Sequence, residues 1–152
     1  MFQVSEVVHF CYGHRLLDYV GKCARVHGHN GRVEIVAAAR TLDARGFVLD
    51  FSDLQSAAQA YIDEQLDHRL LLRHDDPLVP VLTAQGEAFV PLPVNPTAEN
   101  LAKLIFDHLR QRGFPVIAVR FFETETSLAV YSESLQPAVT TGGSSLPDGN
   151  SP

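Results

Sequence analysis

The chain of 152 residues has the usual length of one domain, and with 45% hydrophobic and 20% charged residues it can bury a core without disulfide staples. Eighteen acidic against twelve basic residues give a formal charge of −6, which argues against the clustered Lys/Arg surface of a nucleic-acid binder. No apolar run reaches the ~18 residues that span a bilayer, and Met1 to Phe10 hold neither a basic segment nor a long apolar stretch, so no secretory signal or membrane partner is expected and the expected address is cytoplasmic.

Phe2, Val4, Val8 and Phe10 alternate with more polar positions, which predicts a strand over 2–12. A second strand is predicted over 30–40, with Val33, Ile35, Ala37 and Ala39 on one face, and Thr41 to Gly46 reads as a turn. A helix is predicted over 52–66, where Ser52 and Gln55 fit a capping box and Leu54, Ala57, Ala58, Tyr61, Ile62 and Leu66 recur at helical spacing. Residues 69–94 hold four prolines and read as an insertion, either a short hairpin turning at Gln85-Gly86 or a long loop, with a possible lid role. A second helix starts near Asn95-Pro96-Thr97, with Leu101, Leu104, Ile105 and Leu109 as its apolar stripe and Gly113 as its stop. Strands over 115–123 and 127–133 form a hairpin around Thr124 to Thr126. Residues 135–152 are rich in Gly, Ser, Pro and Thr and read as a disordered tail, which leaves 1–134 as the folded domain. The order β-β-α-α-β-β predicts an α+β fold, an antiparallel four-stranded sheet with two helices on one face. Its two open edges invite pairing with other copies, so a homo-oligomer built by joining sheets is expected.

Three of the seven histidines fall between positions 14 and 29. His27 and His29 flank Gly28, and side chains at i and i+2 of an extended chain share one face, so two imidazoles can meet one metal ion. His14, near the end of the first strand, supplies a third nitrogen if the two strands pair. Three histidines with one open position describe a catalytic zinc site, whereas a structural site wants a fourth ligand and no CxxC pair exists here. Cys23 is flanked by Lys22 and Arg25, cations of the kind that stabilise a thiolate, and otherwise reads as a small buried residue. Cys11, in an apolar strand, fits the buried reading better, and free thiols are expected in place of a disulfide between the two. Asp67-His68 follows the first helix and reads either as an exposed helix-end pair or as a carboxylate that orients an imidazole. Glu123 ends an apolar strand, where it is either an ordinary solvated acid or a carboxylate able to grip a flat N–C–N edge with two charge-assisted hydrogen bonds.

Six blocks, FCYGHRL (10–16), KCARVHGHN (22–30), VLDFSDL (48–54), LDHRLL (66–71), NPTAENLAKLIF (95–106) and ETETSLAVY (123–131), stand in the order found in the 6-pyruvoyltetrahydropterin synthase / 6-carboxytetrahydropterin synthase family, which this chain resembles from residue 2 to about 133. The resemblance implies the tunnelling fold, in which subunit sheets join into a barrel and two rings commonly stack as a homohexamer. It implies zinc on His14, His27 and His29. It implies Cys23, Asp67 and His68 as catalytic residues, Glu123 as the anchor of a pterin ring, and Thr97 and Glu99 as pocket-lining residues. Three residues separate Cys23 from His27, a spacer that resembles the bacterial 6-carboxytetrahydropterin synthases of queuosine biosynthesis. The implied reaction takes 7,8-dihydroneopterin triphosphate to 6-carboxy-5,6,7,8-tetrahydropterin, acetaldehyde and triphosphate. The alternatives are a 6-pyruvoyltetrahydropterin synthase, a non-catalytic zinc-dependent pterin binder and a structural zinc protein. Three features depart from the family pattern: Gly31 where an aromatic commonly follows HGHN, Tyr12-Gly13 in place of two small residues, and the longer segment 69–94.

Overall fold

The computed structural model describes residues 1–134; the tail expected over 135–152 lies outside the described residues. Its strands are β1 (Phe2–His14), β2 (His27–Ala39), β3 (Arg69–Arg73), β4 (Phe89–Leu92), β5 (Val116–Phe122) and β6 (Leu128–Ser132). Its helices are α1 (Phe51–Gln65), α2 (Leu78–Gln85) and α3 (Ala98–Gln111). The strands form one sheet in the order β4-β3-β1-β2-β5-β6.

The four strands expected from alternation are present as a continuous antiparallel stretch, β1-β2-β5-β6. The expected four-stranded antiparallel sheet is corrected in one respect, because β3 and β4 extend it to six strands and make it mixed: β3 runs parallel to β1, and β4 parallel to β3. Both come from residues 69–94, so that segment is neither a hairpin nor a long loop. Parallel neighbours need a crossover, and α2 provides it. Gln85-Gly86 therefore ends a helix instead of turning a hairpin, with Gly86 left-handed at φ 71°. The prolines are tolerated for local reasons. Pro80 lies in the first turn of α2, where its missing N–H breaks no helical bond, and Pro91 lies in an edge strand.

The core lies between one face of the sheet and the pair α1 and α3. Val8, Phe10, Val33, Ile35, Val119 and Phe121 pack against Leu54, Ala58 and Ile62 of α1 and Leu101, Ile105 and Leu109 of α3. Helix α1 begins one residue earlier than expected because Asp50, not Ser52, is its cap: the Asp50 carboxylate accepts from the Ser52 N–H at 3.0 Å. Thr97 caps α3, Gly113 follows its end at φ 88°, and the Phe114 N–H bonds back to the Leu109 carbonyl. On the other face of β1, Val7, His9 and Cys11 are exposed. Cys11 is thus not the buried residue its apolar strand suggested. Strand alternation turns it away from the helices, and its Sγ lies 3.1 Å from the Asn30 Oδ1. None of the described helices is long and apolar enough to cross a membrane.

Candidate metal centre and adjoining pocket

Strand register assembles the centre. β1 and β2 pair so that His14 lies opposite His27 and Tyr12 opposite His29. Both strands run further than the alternation predicted, β1 to His14 and β2 from His27, so all three histidines stand on the sheet itself. The Nε2 of His14 lies 3.1 Å from the Nε2 of His27 and 3.2 Å from the Nε2 of His29, and one ring nitrogen from each of the three lies within 4.8 Å of the others.

Two of these rings have a defined tautomer. The His14 Nδ1 is 2.7 Å from the Pro96 carbonyl and the His27 Nδ1 is 2.7 Å from the Arg25 carbonyl. A carbonyl only accepts, so each Nδ1 carries the proton and each Nε2 presents a lone pair. Burial holds His14 below the ordinary imidazole range, against the opposing pull of the Pro96 carbonyl and Glu123, which keeps the ring neutral and able to ligate. Two lone pairs aimed at each other across 3.1 Å repel unless a cation lies between them. Zinc–nitrogen bonds of about 2.0–2.1 Å at a tetrahedral angle put ligand nitrogens about 3.3 Å apart, close to the spacings found. The donor set therefore fits zinc, with carbonyl acceptors behind the rings as metal-binding histidines usually have.

Gly28 is required by a close approach. A Cβ there would stand 2.9 Å from the Tyr12 carbonyl oxygen, a backbone atom that has no room to withdraw. The HGH pattern is thus a packing necessity as well as a pair of candidate ligands.

The centre opens on a pocket of about 290 Å³, lined by His14, Cys23, Thr97, Glu99 and Glu123 among others. Cys23 is half-buried in a short 3-10 turn, Lys22–Ala24, and its carbonyl accepts from the Leu16 N–H at 2.8 Å. Asn95 grips the same loop from the other side, accepting from the Leu17 N–H and donating to the Leu17 carbonyl. Thr97 and Glu99 enter from the start of α3. Glu123 is the first residue past β5, and its N–H bonds to the Ser127 carbonyl across the turn to β6. Its Oε1 accepts from the Tyr12 hydroxyl at 3.3 Å and lies 3.7 Å from the His14 Nε2. Burial, then the charge of Glu123, pushes the Tyr12 phenol well above its ordinary value, so it remains a donor.

Of the two readings of Asp67-His68, contact is the one found, with the His68 Nδ1 at 2.6 Å from the Asp67 Oδ2. The Cys11 N–H donates to the other Asp67 oxygen, and the His68 N–H donates to the Cys11 carbonyl. Burial would raise the Asp67 carboxyl, but the bonds from Cys11 and His68 outweigh it and hold the group below the usual range. His68 is left-handed at φ 54°, and its side chain is 80% exposed. Neither Asp67 nor His68 is among the residues lining the pocket. Sequence reasoning missed Tyr12 as the partner of Glu123, Asn95 and the Pro96 carbonyl, and the buried pairing of Asp76 with Arg15. Asn-Pro-Thr ahead of a helix was the available signal for the second of these.

The antiparallel core with α1 and α3 on one face, carrying three converging imidazoles, is a tunnelling fold with a potential metal centre. The profile described as 6-pyruvoyl tetrahydropterin synthase matches residues 3–134, and the chain belongs to that family. It is 35% identical over 133 residues to the 6-carboxy-5,6,7,8-tetrahydropterin synthase of Rickettsia conorii, covering 86% of this chain and 94% of that one. It is 31% identical over 160 residues to the enzyme of the same name from Aquifex aeolicus, covering 87% and 98%. Among solved structures, an uncharacterized protein of Wolinella succinogenes superimposes with a TM-score of 0.76 at 28% identity, covering 88% and 98%. The Caenorhabditis elegans 6-pyruvoyl tetrahydropterin synthase shares the fold at a TM-score of 0.65 and 22% identity, covering 88% and 96%.

Proposed function

We propose that this protein is a zinc-dependent 6-carboxy-5,6,7,8-tetrahydropterin synthase, a lyase that converts 7,8-dihydroneopterin triphosphate to 6-carboxytetrahydropterin, acetaldehyde and triphosphate in queuosine and 7-deazapurine biosynthesis. The observation that carries the reading is the single pocket shared by His14, Cys23, Thr97, Glu99 and Glu123, side chains from four separate chain segments. The names of the relatives from Rickettsia and Aquifex support the same reaction.

His14, His27 and His29 hold the zinc, which supplies a Lewis acid for the side-chain oxygens of the substrate. Glu123 binds the pterin ring, accepting from its N–C–N edge, while Thr97 and Glu99 line the floor beside it. Cys23 takes a proton from the side chain of the substrate at the edge of the same pocket. His68 returns a proton, with Asp67 fixing its Nδ1–H so that Nε2 faces outward. His68 is not among the residues lining the pocket of its own chain, and in this reading it serves the pocket of a neighbouring subunit.

Two free edges support such an assembly. β3 covers β1 only at Tyr12 to His14, so most of the long first strand has one unpaired edge, and β6 closes the other end of the sheet. Unlike edges joined head to tail close a ring, and two stacked rings make the homohexamer. The same reading takes the protein to be cytoplasmic, in keeping with two unpaired cysteines. The test is incubation of zinc-loaded protein with 7,8-dihydroneopterin triphosphate and identification of products by mass. Equimolar acetaldehyde and 6-carboxytetrahydropterin are expected; triphosphate release without acetaldehyde would contradict the assigned product.

A further inference from the structure

We infer that Tyr12 is a positioning residue for Glu123, and that Gly31 exists in this chain to make room for it. The inference rests on the reading of Glu123 as the carboxylate that holds the ring of the ligand.

The Tyr12 ring is confined on all sides. Its side chain is 4% exposed, and its centroid lies 5.4 Å from Phe10, 5.8 Å from Phe121, 5.2 Å from His14 and 5.6 Å from His29. Such a ring has one orientation, and that orientation delivers its hydroxyl to the Glu123 Oε1 at 3.3 Å. No other side-chain hydrogen bond reaches Glu123 among the described residues. Glu123 sits at the mouth of a hairpin turn and is half-buried, a setting in which an untethered glutamate samples several rotamers. Tyr12 removes that freedom before a ligand arrives. It also occupies Oε1, the oxygen that lies 3.7 Å from the His14 Nε2, and leaves Oε2 without a protein partner for the ligand.

Gly31 completes the arrangement. A Cβ at 31 would come within 3.2 Å of the Tyr12 Cε1 and 3.4 Å of two Phe10 ring atoms, so a large side chain at 31 and the ring at 12 compete for the same space. The two unusual positions of the sequence, an aromatic at 12 and no side chain at 31, are therefore one exchange across the β1–β2 pair. What this exchange adds is a hydroxyl on Glu123.

Tyr12→Phe keeps the ring and deletes only that hydroxyl. Immobilising one rotamer-rich side chain costs about 0.5–1.5 kcal/mol on binding, so the variant should bind 7,8-dihydroneopterin about two- to thirteenfold more weakly by equilibrium fluorescence. Its zinc content should be unchanged, KM for 7,8-dihydroneopterin triphosphate should rise by a similar factor, and kcat should move less than twofold. In a Glu123→Ala background Tyr12→Phe should have no further effect on affinity. Gly31→Phe should lower the melting temperature alone and recover it when combined with Tyr12→Ala, while the affinity stays low. An unchanged affinity in Tyr12→Phe, an equal loss in the Glu123→Ala background, or full affinity in the double variant would each overturn the assignment. If Glu123→Ala itself binds the pterin normally, Glu123 is not the ring anchor and the failure lies in that reading.

Discussion

His14 and His27 each give their Nδ1–H to a main-chain carbonyl, and this fixes the direction of the nitrogen that remains. Replacing His29 with Ala removes one of the three proposed ligands without touching either of these bonds. Zinc content should fall to a small fraction of one per chain by atomic absorption while the circular dichroism spectrum is retained. Gly28→Ala should be nearly as damaging, because its Cβ meets the Tyr12 carbonyl at 2.9 Å. A forced backbone shift of this kind costs about 1–3 kcal/mol, and it would be read as a lower melting temperature together with lost zinc. Cys23→Ala should keep the metal and the fold and lose turnover; retained turnover would remove Cys23 from the proton transfers. At this scale the His27–His29 pair was legible in sequence, since HGH in an extended chain has only one side to face. Tyr12 and Glu123 were not legible as a pair. They are 111 residues apart, and nothing local in either segment signals the other.

The loop between β1 and β2 carries Cys23 yet has only a 3-10 turn of its own, so other elements must hold it. Arg15 pairs with the buried Asp76, Arg73 reaches Asp18 at 2.6 Å, and Asn95 holds Leu17 by two bonds. Asp76 also accepts from the Leu78 N–H at 2.8 Å, which ties the start of α2 to the same cluster. Residues 69–94 were misread in sequence because periodicity in β3 and β4 is too short to show, and because the prolines suggested a loop. The partners that explain the segment lie elsewhere in the chain. Asp76→Ala leaves the Arg15 charge without its buried partner, and about 2–4 kcal/mol of stability should be lost by urea unfolding. The hydrogen bonds from Arg15 hold the Asp76 carboxyl below the usual carboxylate range. A depressed acid stabilises the fold above its unfolded value of about 4 and stops doing so as pH falls through the folded value. The melting temperature should therefore drop steeply in acid for the native chain, and Asp76→Asn should start lower and show a flatter acid limb.

One chain contains a candidate metal centre, a pocket and a preformed Asp67–His68 pair that is not among the residues lining it. The α+β class and the four-stranded antiparallel core were legible from alternation and helical spacing, because those patterns are local. The register that puts His14 beside His27, and the outward aim of His68, depend on strand pairing and were not. If neighbouring subunits complete each site, mixing inactive Cys23→Ala with inactive His68→Ala protein should restore partial activity through hybrid oligomers, and each alone should stay inactive. Chelation should leave a folded, inactive oligomer by light scattering, since the core of β1, β2, β5, α1 and α3 is built without the metal.

X-ray absorption at the zinc edge of the loaded protein tests the centre most directly. Three imidazole nitrogens with one light fourth ligand at about 2.0–2.1 Å are expected, with loss of that signal in His29→Ala. A sulfur scatterer at about 2.3 Å, or full zinc occupancy in His29→Ala, would contradict this assignment.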